Sequence, residues 1–494
     1  MENKQLRWGV LLTYSTGIVQ ILANLLLTGV MVQKLGAAEY GLYLMLGSLV
    51  AYVSIFDFGL NNTVSRYVAK YRAEGDKQKE GNLLFITFAF YCAIALVIVG
   101  TGLLMNARLD LFIRNISPEQ EALAHRLFLL LIINLAVTLP INSFAAILVG
   151  YERFIYTRTV SILRILAVPL FSIPCLLLGS GSLAVVVVTT AANIAAGLMN
   201  AASCFFKCKI KIRLYSVDIP LMKEILLYSL YVFLGIVADQ LFYNTGNIVL
   251  GVTKGPEAVT EFGLSIQLTQ YLVAIAAAFT GVFLPRATFL VSQTQDRERL
   301  TDFFSRISRM LSMILMCVLG GYIALGNEFT YFWVGQSMGN VYPLSLVMMF
   351  FTVWTLTRTM GLSILQAMNR HGFRSVVLLI RAAVNFALCW IVSGRYGASG
   401  VACSYAACMI VTNLVLDFYY DRKIGIAVFE FTRRLAPICL CAFFAAAGVM
   451  ATYLAAGYSI YAFLIRGVLY LAVFLLLLYR FCLTAEERRK VWAA

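Results

Sequence analysis

Charge is scarce in this sequence. Asp, Glu, Lys and Arg make up 13% of its 494 residues, where a soluble domain carries about 25%. At 61% hydrophobic residues and a mean hydropathy of +0.84, the chain has too few polar side chains to cover a water-exposed fold. A soluble class is thereby excluded, and lipid becomes the principal solvent. Histidine is nearly absent: His125 and His371 stand far apart, which disfavours a zinc or haem centre. No Gly-rich loop closing on Lys-Ser or Lys-Thr occurs, so no nucleotide-hydrolysis motif is read. No nucleophile triad, metal-ligand cluster or pair of carboxylates emerges. An enzyme is not expected, nor a cofactor or a metal site. The eleven cysteines lie mostly inside apolar runs, where a thiol serves as a small hydrophobe. A cleavable signal peptide is not expected, because the first apolar run is too long and lacks a small-residue cleavage site.

Long apolar sequence is what the chain has instead. A spanning helix needs about 20 apolar residues. Fourteen such runs can be drawn, near 8–33, 41–66, 82–105, 122–149, 158–178, 183–206, 222–250, 262–285, 302–326, 343–368, 374–393, 399–420, 434–456 and 459–481. The outer connections at 106–121 and 327–342 are too short to hold a catalytic domain. Fourteen spans return the chain to the side on which it starts. That side collects 32 of the 39 Lys and Arg residues, and the other keeps Lys34, Arg108, Arg114, Arg126, Lys254, Arg395 and Arg466. Positive loops stay in the cytoplasm, so both termini are expected there. The net charge of +15 thus reads as membrane sidedness, with no nucleic-acid partner. The basic stretch Lys207-Cys208-Lys209-Ile210-Lys211-Ile212-Arg213 would lie along the anionic inner leaflet.

The chain also repeats itself. Ala38-Glu39-Tyr40-Gly41-Leu42 returns as Thr260-Glu261-Phe262-Gly263-Leu264, an offset of 222 residues that also carries Gly59 onto Gly281. Ile147-Leu148-Val149-Gly150-Tyr151-Glu152-Arg153 returns as Ile364-Leu365-Gln366-Ala367-Met368-Asn369-Arg370, an offset of 217 that carries Arg164 onto Arg381. Such self-similarity signals a duplicated unit. The predicted fold is an all-α polytopic membrane protein of 14 transmembrane helices, two parallel six-helix repeats plus an extra C-terminal helix pair. The expected domains are a lobe at 1–206, a basic linker at 207–221, a second lobe at 222–420, the added pair at 434–482 and a basic tail at 483–494. Two parallel repeats imply a site between the halves near the midplane.

Polar residues inside the spans are the candidates for that site. Thr13, Gly17, Gln20, Asn24 and Thr28 share one face of the first span, either as interhelical glue or as cavity lining. Asp57 stands inside the second span, where a carboxylate costs on the order of 3 kcal/mol on insertion scales. It must be paired, protonated or wet; Arg66 is one partner, and Asn61 follows on its face. Asp239, Gln240, Tyr243, Asn244 and Asn247 form a broad polar face on the seventh span, which favours cavity lining. Arg164 and Arg381 occupy equivalent places in the two units, and Arg358, Asn385 and Arg466 are further interior candidates.

The stretch Leu35-Gly36-Ala37-Ala38-Glu39-Tyr40-Gly41-Leu42-Tyr43, followed by Asp57-Phe58-Gly59-Leu60, Arg66 and the Gly75-Asp76 loop, resembles the polysaccharide transporter family. That family belongs to the multidrug/oligosaccharidyl-lipid/polysaccharide exporter superfamily and includes O-antigen and related repeat-unit flippases. The extra helix pair resembles its fourteen-span members. The resemblance implies a bacterial cytoplasmic-membrane flippase working by alternating access. Its substrate would be a polyprenyl-diphosphate-linked glycan carried from the inner to the outer leaflet. Membrane lipids, and other polysaccharide-assembly membrane proteins, would be its partners. The diphosphate would be met by Arg66, Arg164, Arg286, Arg358 and Arg381, because guanidinium offers phosphate a planar fork. Sugar hydroxyls suit Gln20, Asn24, Asn244 and Asn247, and Asn61 joins the substrate-binding set. Asp57 and Asp239 would couple H+ or Na+ entry. Two other readings stand beside this one: a multidrug organic-cation antiporter, disfavoured by interior arginines outnumbering carboxylates, and a membrane glycosyl polymerase, disfavoured by the short outer loops.

Overall fold

The structure, a computed structural model, describes residues 2–57, 60–113, 116–215, 219–293, 297–368, 372–454 and 457–483. Every regular element among them is helical. Eleven helical stretches among the described residues are long and apolar enough to cross a membrane. Two of them turn a corner at a non-helical glycine: α1 (Glu2–Val53) at Gly36, and α13 (Gly372–Tyr419) at Gly397. The spans expected at 8–33 and 41–66, and at 374–393 and 399–420, therefore meet without a loop. The chain is an all-helical, polytopic membrane protein.

Two compact units divide it. One takes in Met1–Thr260 and Leu378–Gly397, the other Glu261–Val377 and Ala398–Ala494. The first holds α1, α2 (Leu60–Glu74), α3 (Lys77–Asn106), α4 (Pro118–Gly150), α5 (Phe154–Leu177), α6 (Gly181–Phe206), α7 (Ile219–Thr253), the start of α8 (Pro256–Gly281) and the part of α13 from Leu378 to Gly397. The second holds the rest of α8, then α9 (Leu284–Gln293), α10 (Arg297–Val334), α11 (Val341–Leu356), α12 (Thr359–Ala367), α14 (Val428–Met450) and α15 (Ile460–Leu477).

Three expected spans are broken. The sequence predicts one helix over 41–66, but α1 ends at Val53, a tight turn follows over Ser54–Asp57, and α2 begins at Leu60. Ser54 donates its hydroxyl to the Ala51 carbonyl at 2.7 Å, and Asp57 and Gly59 are poor helix formers. The same break recurs between α8 and α9, next to Gly281, the residue that the 222-residue offset pairs with Gly59. The third break parts α11 from α12 at Thr357, the position that the 217-residue offset pairs with Pro140. In α4 that proline sits within a continuous helix. A difference of the opposite kind concerns the outer connection expected at 327–342. There α10 runs on to Val334, because Phe329, Trp333 and Val334 find apolar neighbours and stay partly or fully buried.

In the first unit, the stretch that carries the family resemblance builds a corner. Gly36 adopts φ 75°, a region that L side chains avoid. Glu39 accepts the Ser182 N–H at 2.7 Å, satisfying an orphan donor at the start of α6. Gly41 lets α8 approach closely: a Cβ there would stand 1.8 Å from the Pro256 carbonyl oxygen. Thr260 donates to the Ala37 carbonyl at 2.6 Å. In the second unit, Glu261 accepts from Asn340 at 2.9 Å and so also holds a helix start, that of α11.

The basic linker is docked. Its Ile210 N–H donates to the Cys204 carbonyl, and the Tyr215 N–H donates to Asn82 Oδ1 in the first turns of α3. Beside it the Tyr151 hydroxyl donates to the buried Glu80 carboxylate at 2.6 Å, and the Arg72 guanidinium stacks on the Tyr151 ring. Burial, followed by the hydrogen bond to Glu80, pushes the Tyr151 phenol above its ordinary range.

Candidate functional site

A polar seam runs through the first unit. On α1, Gln20 donates to Asn24 Oδ1 at 2.9 Å, one helical turn apart, and both side chains are half-buried. Thr28, a turn further on, is buried and Thr13 is exposed. On α7, Asn244 donates to Gln240 Oε1 at 2.6 Å in the same i, i+4 arrangement. Paired amides of this kind keep hydrogen-bonding groups satisfied in an apolar bundle while leaving spare lone pairs and N–H groups. Deeper on α7, Asn247 donates to Ser48 Oγ at 2.9 Å and is itself buried. The Tyr52 and Thr245 hydroxyls lie 2.8 Å apart. These contacts tie α7 to α1, and Gly251 fits against Met45 in the same seam.

Asp239 and Arg381 meet near the middle of α7. Arg381 Nη2 lies 3.8 Å from Asp239 Oδ1, and the guanidinium rests on the Phe242 ring 3.8 Å from its centroid. The two partners differ sharply in exposure: the arginine side chain is 4% exposed and the carboxylate side chain 60%. The ring and the apolar surroundings hold the cation, and the carboxylate remains reachable. Asn385, one turn beyond Arg381, is buried, and its Oδ1 accepts the Cys389 thiol.

Arg164 is half-buried in a separate network. It donates to Asn193 Oδ1 at 2.9 Å, and Asn193 donates to Asn134 Oδ1 at 3.2 Å, linking α5, α6 and α4. Arg66 on α2 and Arg286 on α9 are exposed, with Arg286 over the Phe289 ring. Asn61 is half-buried. The side chain of Asp57 lies outside the described residues, as do Arg370 and Arg297.

Two arginines of the second unit are committed to buried ion pairs. Arg358 Nε faces both carboxylate oxygens of Asp417, at 2.6 and 2.9 Å. Its remaining donors reach the Trp354 carbonyl, Thr357 and Thr432. Arg466 Nη1 lies 3.1 and 2.9 Å from the Glu328 oxygens and its guanidinium stacks on Tyr453. Burying such charges is tolerable only when they are paired and hydrogen-bonded. Asp417 and Glu328 were not among the residues singled out in the sequence. For Asp417 the signal was available: a carboxylate within an apolar span, as at Asp239. For Glu328 the clue is Arg466, an interior cation that needs a carboxylate mate. Asn134 and Asn193 carried no sequence signal beyond their polarity.

A family profile described as "Polysaccharide biosynthesis protein" matches residues 6–291, more than half of the chain. The chain belongs to that family. Among curated relatives, stage V sporulation protein B of Bacillus subtilis (strain 168) is 23% identical over 484 residues, covering 89% of this chain and 88% of that one. A putative O-antigen transporter of Shigella flexneri is 21% identical over 421 residues, covering 81% and 93%. Of the solved structures, an inward closed conformation of the lipid II flippase MurJ superposes with a TM-score of 0.70 at 14% identity, covering 95% of this chain and 97% of that one. An inward-facing multidrug resistance MATE transporter of the MOP superfamily gives 0.69 at 18% identity, covering 84% and 98%. The fold of this polysaccharide biosynthesis protein is therefore the one those transporters share. The family match contains Gln20, Asn24, Asn61, Arg66, Arg164, Asp239, Asn244, Asn247 and Arg286, while Arg358 and Arg381 lie beyond it.

Proposed function

We propose that this polysaccharide biosynthesis protein is a flippase for a polyprenyl-diphosphate-linked oligosaccharide, carried from the inner to the outer leaflet of a bacterial cytoplasmic membrane by alternating access. The observation that carries the reading is the seam of the first unit. It combines neutral amide pairs, Gln20–Asn24 and Gln240–Asn244, with a buried guanidinium at Arg381. Neutral amides suit sugar hydroxyls, and guanidinium suits a diphosphate. By their names, one relative transports O-antigen and one structural neighbour flips lipid II, which supports the reading. Transport, not catalysis, is the activity this reading assigns. Both termini face the cytoplasm in it, in keeping with the 32-to-7 bias of Lys and Arg. An inside-negative potential of 100 mV then favours outward passage of two negative charges by roughly 4.6 kcal/mol, so no nucleotide is required.

The test is transport in proteoliposomes. Outer-leaflet arrival of labelled polyprenyl-diphosphate oligosaccharide is followed with and without an imposed potential, for the parent protein, Arg66→Ala and Arg381→Ala. Potential-sensitive flipping that falls in both variants supports the reading. Efflux of an organic cation with no flipping of lipid-linked glycan removes it in favour of the multidrug reading, to which the reachable Asp239 beside Phe242 lends its one specific support.

A further inference from the structure

In the second unit, the end of α10 and the residues leading into α15 frame an open cleft of about 360 Å³. That volume falls within the range of about 300–1,000 Å³ typical of small-molecule pockets. Asn327, Thr330, Tyr331, Gln336 and Tyr458 line it together with Gly335 and Gly339. Among the described residues, no charged side chain lines it. Tyr331 is 40% and Tyr458 47% exposed, with ring centroids 5.6 Å apart. The wall therefore presents two aromatic faces beside an amide pair and a hydroxyl.

This wall is built from below. Asn327 donates to the Tyr458 hydroxyl at 2.7 Å. The next residue, Glu328, is fully buried; it accepts the Ser459 N–H at 3.3 Å, the Tyr453 hydroxyl at 2.9 Å and the Arg466 guanidinium. Tyr453 meets Tyr458 edge-on. Two consecutive residues of α10 thus grip two consecutive residues at the start of α15. The buried ion pair cancels its own charge and fixes Tyr458 with little entropy left to lose on binding.

We propose that this pocket is a saccharide subsite on the outer face, receiving the glycan portion of the transported molecule. Its chemistry is selective for a neutral sugar. Aromatic faces pack on the apolar face of a pyranose ring, while Asn, Gln and Tyr groups exchange hydrogen bonds with its hydroxyls. The absence of a lining cation gives a phosphate no partner. The added helix pair contributes Tyr458, so the subsite exists only because that pair is present. The outer location rests on the sidedness proposed above, since the pocket lies at the end of α10 opposite its basic start.

The test uses the full-length protein in nanodiscs. Saturation-transfer NMR is recorded with lipid-free N-acetylchitotriose, maltotriose and acid-released bacterial surface oligosaccharides. Binding of at least one of them is expected, weakened about tenfold or more in Tyr458→Ala and Gln336→Leu. Gln336 is an exposed side chain, so its variant remains informative if Tyr458→Ala fails to fold. No binding by any lipid-free saccharide, or binding that survives both substitutions, overturns the subsite. The same holds if only the lipid-linked form binds and Tyr458→Ala binds it equally well. Sidedness is read separately, by labelling Gln336→Cys in intact cells with an impermeant maleimide against the parent background. Protection there overturns the outer location and the proposed orientation, while leaving the saccharide chemistry to the NMR result.

Discussion

Arg358 and Asp417 face each other through two contacts of 2.6 and 2.9 Å, and both side chains are almost wholly buried. Its two terminal nitrogens also find partners, Nη1 at the Trp354 carbonyl and Thr357 and Nη2 at Thr432. Removing one partner leaves an uncompensated charge. Asp417→Ala is expected to destabilise the protein by about 3–5 kcal/mol, measured as a lowered unfolding temperature in detergent. The paired replacement Arg358→Met with Asp417→Leu is expected to recover most of that loss. If Asp417→Ala unfolds like the parent, the pair carries no structural weight and Arg358 returns as a substrate ligand.

Asp239 belongs to a different kind of pair. Its side chain is 60% exposed while that of Arg381 is 4% exposed. Asp239→Asn is therefore expected to fold normally and to lose the ion dependence of transport. Arg381→Ala is expected to weaken loading of the lipid-linked substrate by about tenfold, the equivalent of ~1.4 kcal/mol. Flipping assays under H+ and Na+ gradients separate the two effects. Unchanged ion dependence in Asp239→Asn would remove the coupling role.

Gly41 and Gly47 share α1 but not their surroundings. A Cβ at Gly41 would collide with the Pro256 carbonyl, whereas nothing lies within 4 Å of one at Gly47. Gly41→Ala is expected to cost at least about 1–3 kcal/mol through overpacking. Gly47→Ala is expected to gain about 0.5–1 kcal/mol from helix propensity. Opposite shifts in unfolding temperature are the expected pattern, and equal ones would disprove the close approach.

Asp76 caps α3, accepting the Lys79 and Gln78 N–H groups at 2.9 and 3.1 Å. The backbone bond from Lys79 is the main reason its carboxyl is held below the usual range. A depressed folded pKa means that the cap is complete above the ordinary carboxylate pKa and fades only as pH falls through the lowered value. Hydrogen exchange of the first α3 amides is expected to stay slow at neutral pH and to quicken only in acid. In Asp76→Ala it is expected to be fast throughout. Exchange that quickens already near neutrality would contradict the cap.

Much of this architecture was legible in hydropathy alone. Runs such as 82–105 and 122–149 match α3 and α4 closely because lipid demands continuous backbone hydrogen bonding along an apolar run. The breaks were not legible. Asp57 and Thr357 stand in apolar stretches of sequence like those that stay helical, and interruption of a helix depends on what packs against it. In the site, the i, i+4 amide pairs followed from spacing. The partners of Arg358 and Arg466 lie 59 and 138 residues away, beyond the reach of any local pattern. The motif that betrays the family proved to be a corner: Glu39 and Gly41 hold helices together and touch none of the seam's amides.

Gly36 has a consequence for biogenesis. Run straight, the 52 residues of α1 would reach about 78 Å, more than twice a hydrocarbon core of about 30 Å. The corner divides that length into two limbs, and on the sidedness proposed above these form two crossings that bring the chain back to the cytoplasmic side. Were the corner lost, one crossing would replace two, and every later basic loop would be asked to translocate. On that proposed sidedness, a single glycine at positive φ sets the parity on which the orientation of the following spans depends.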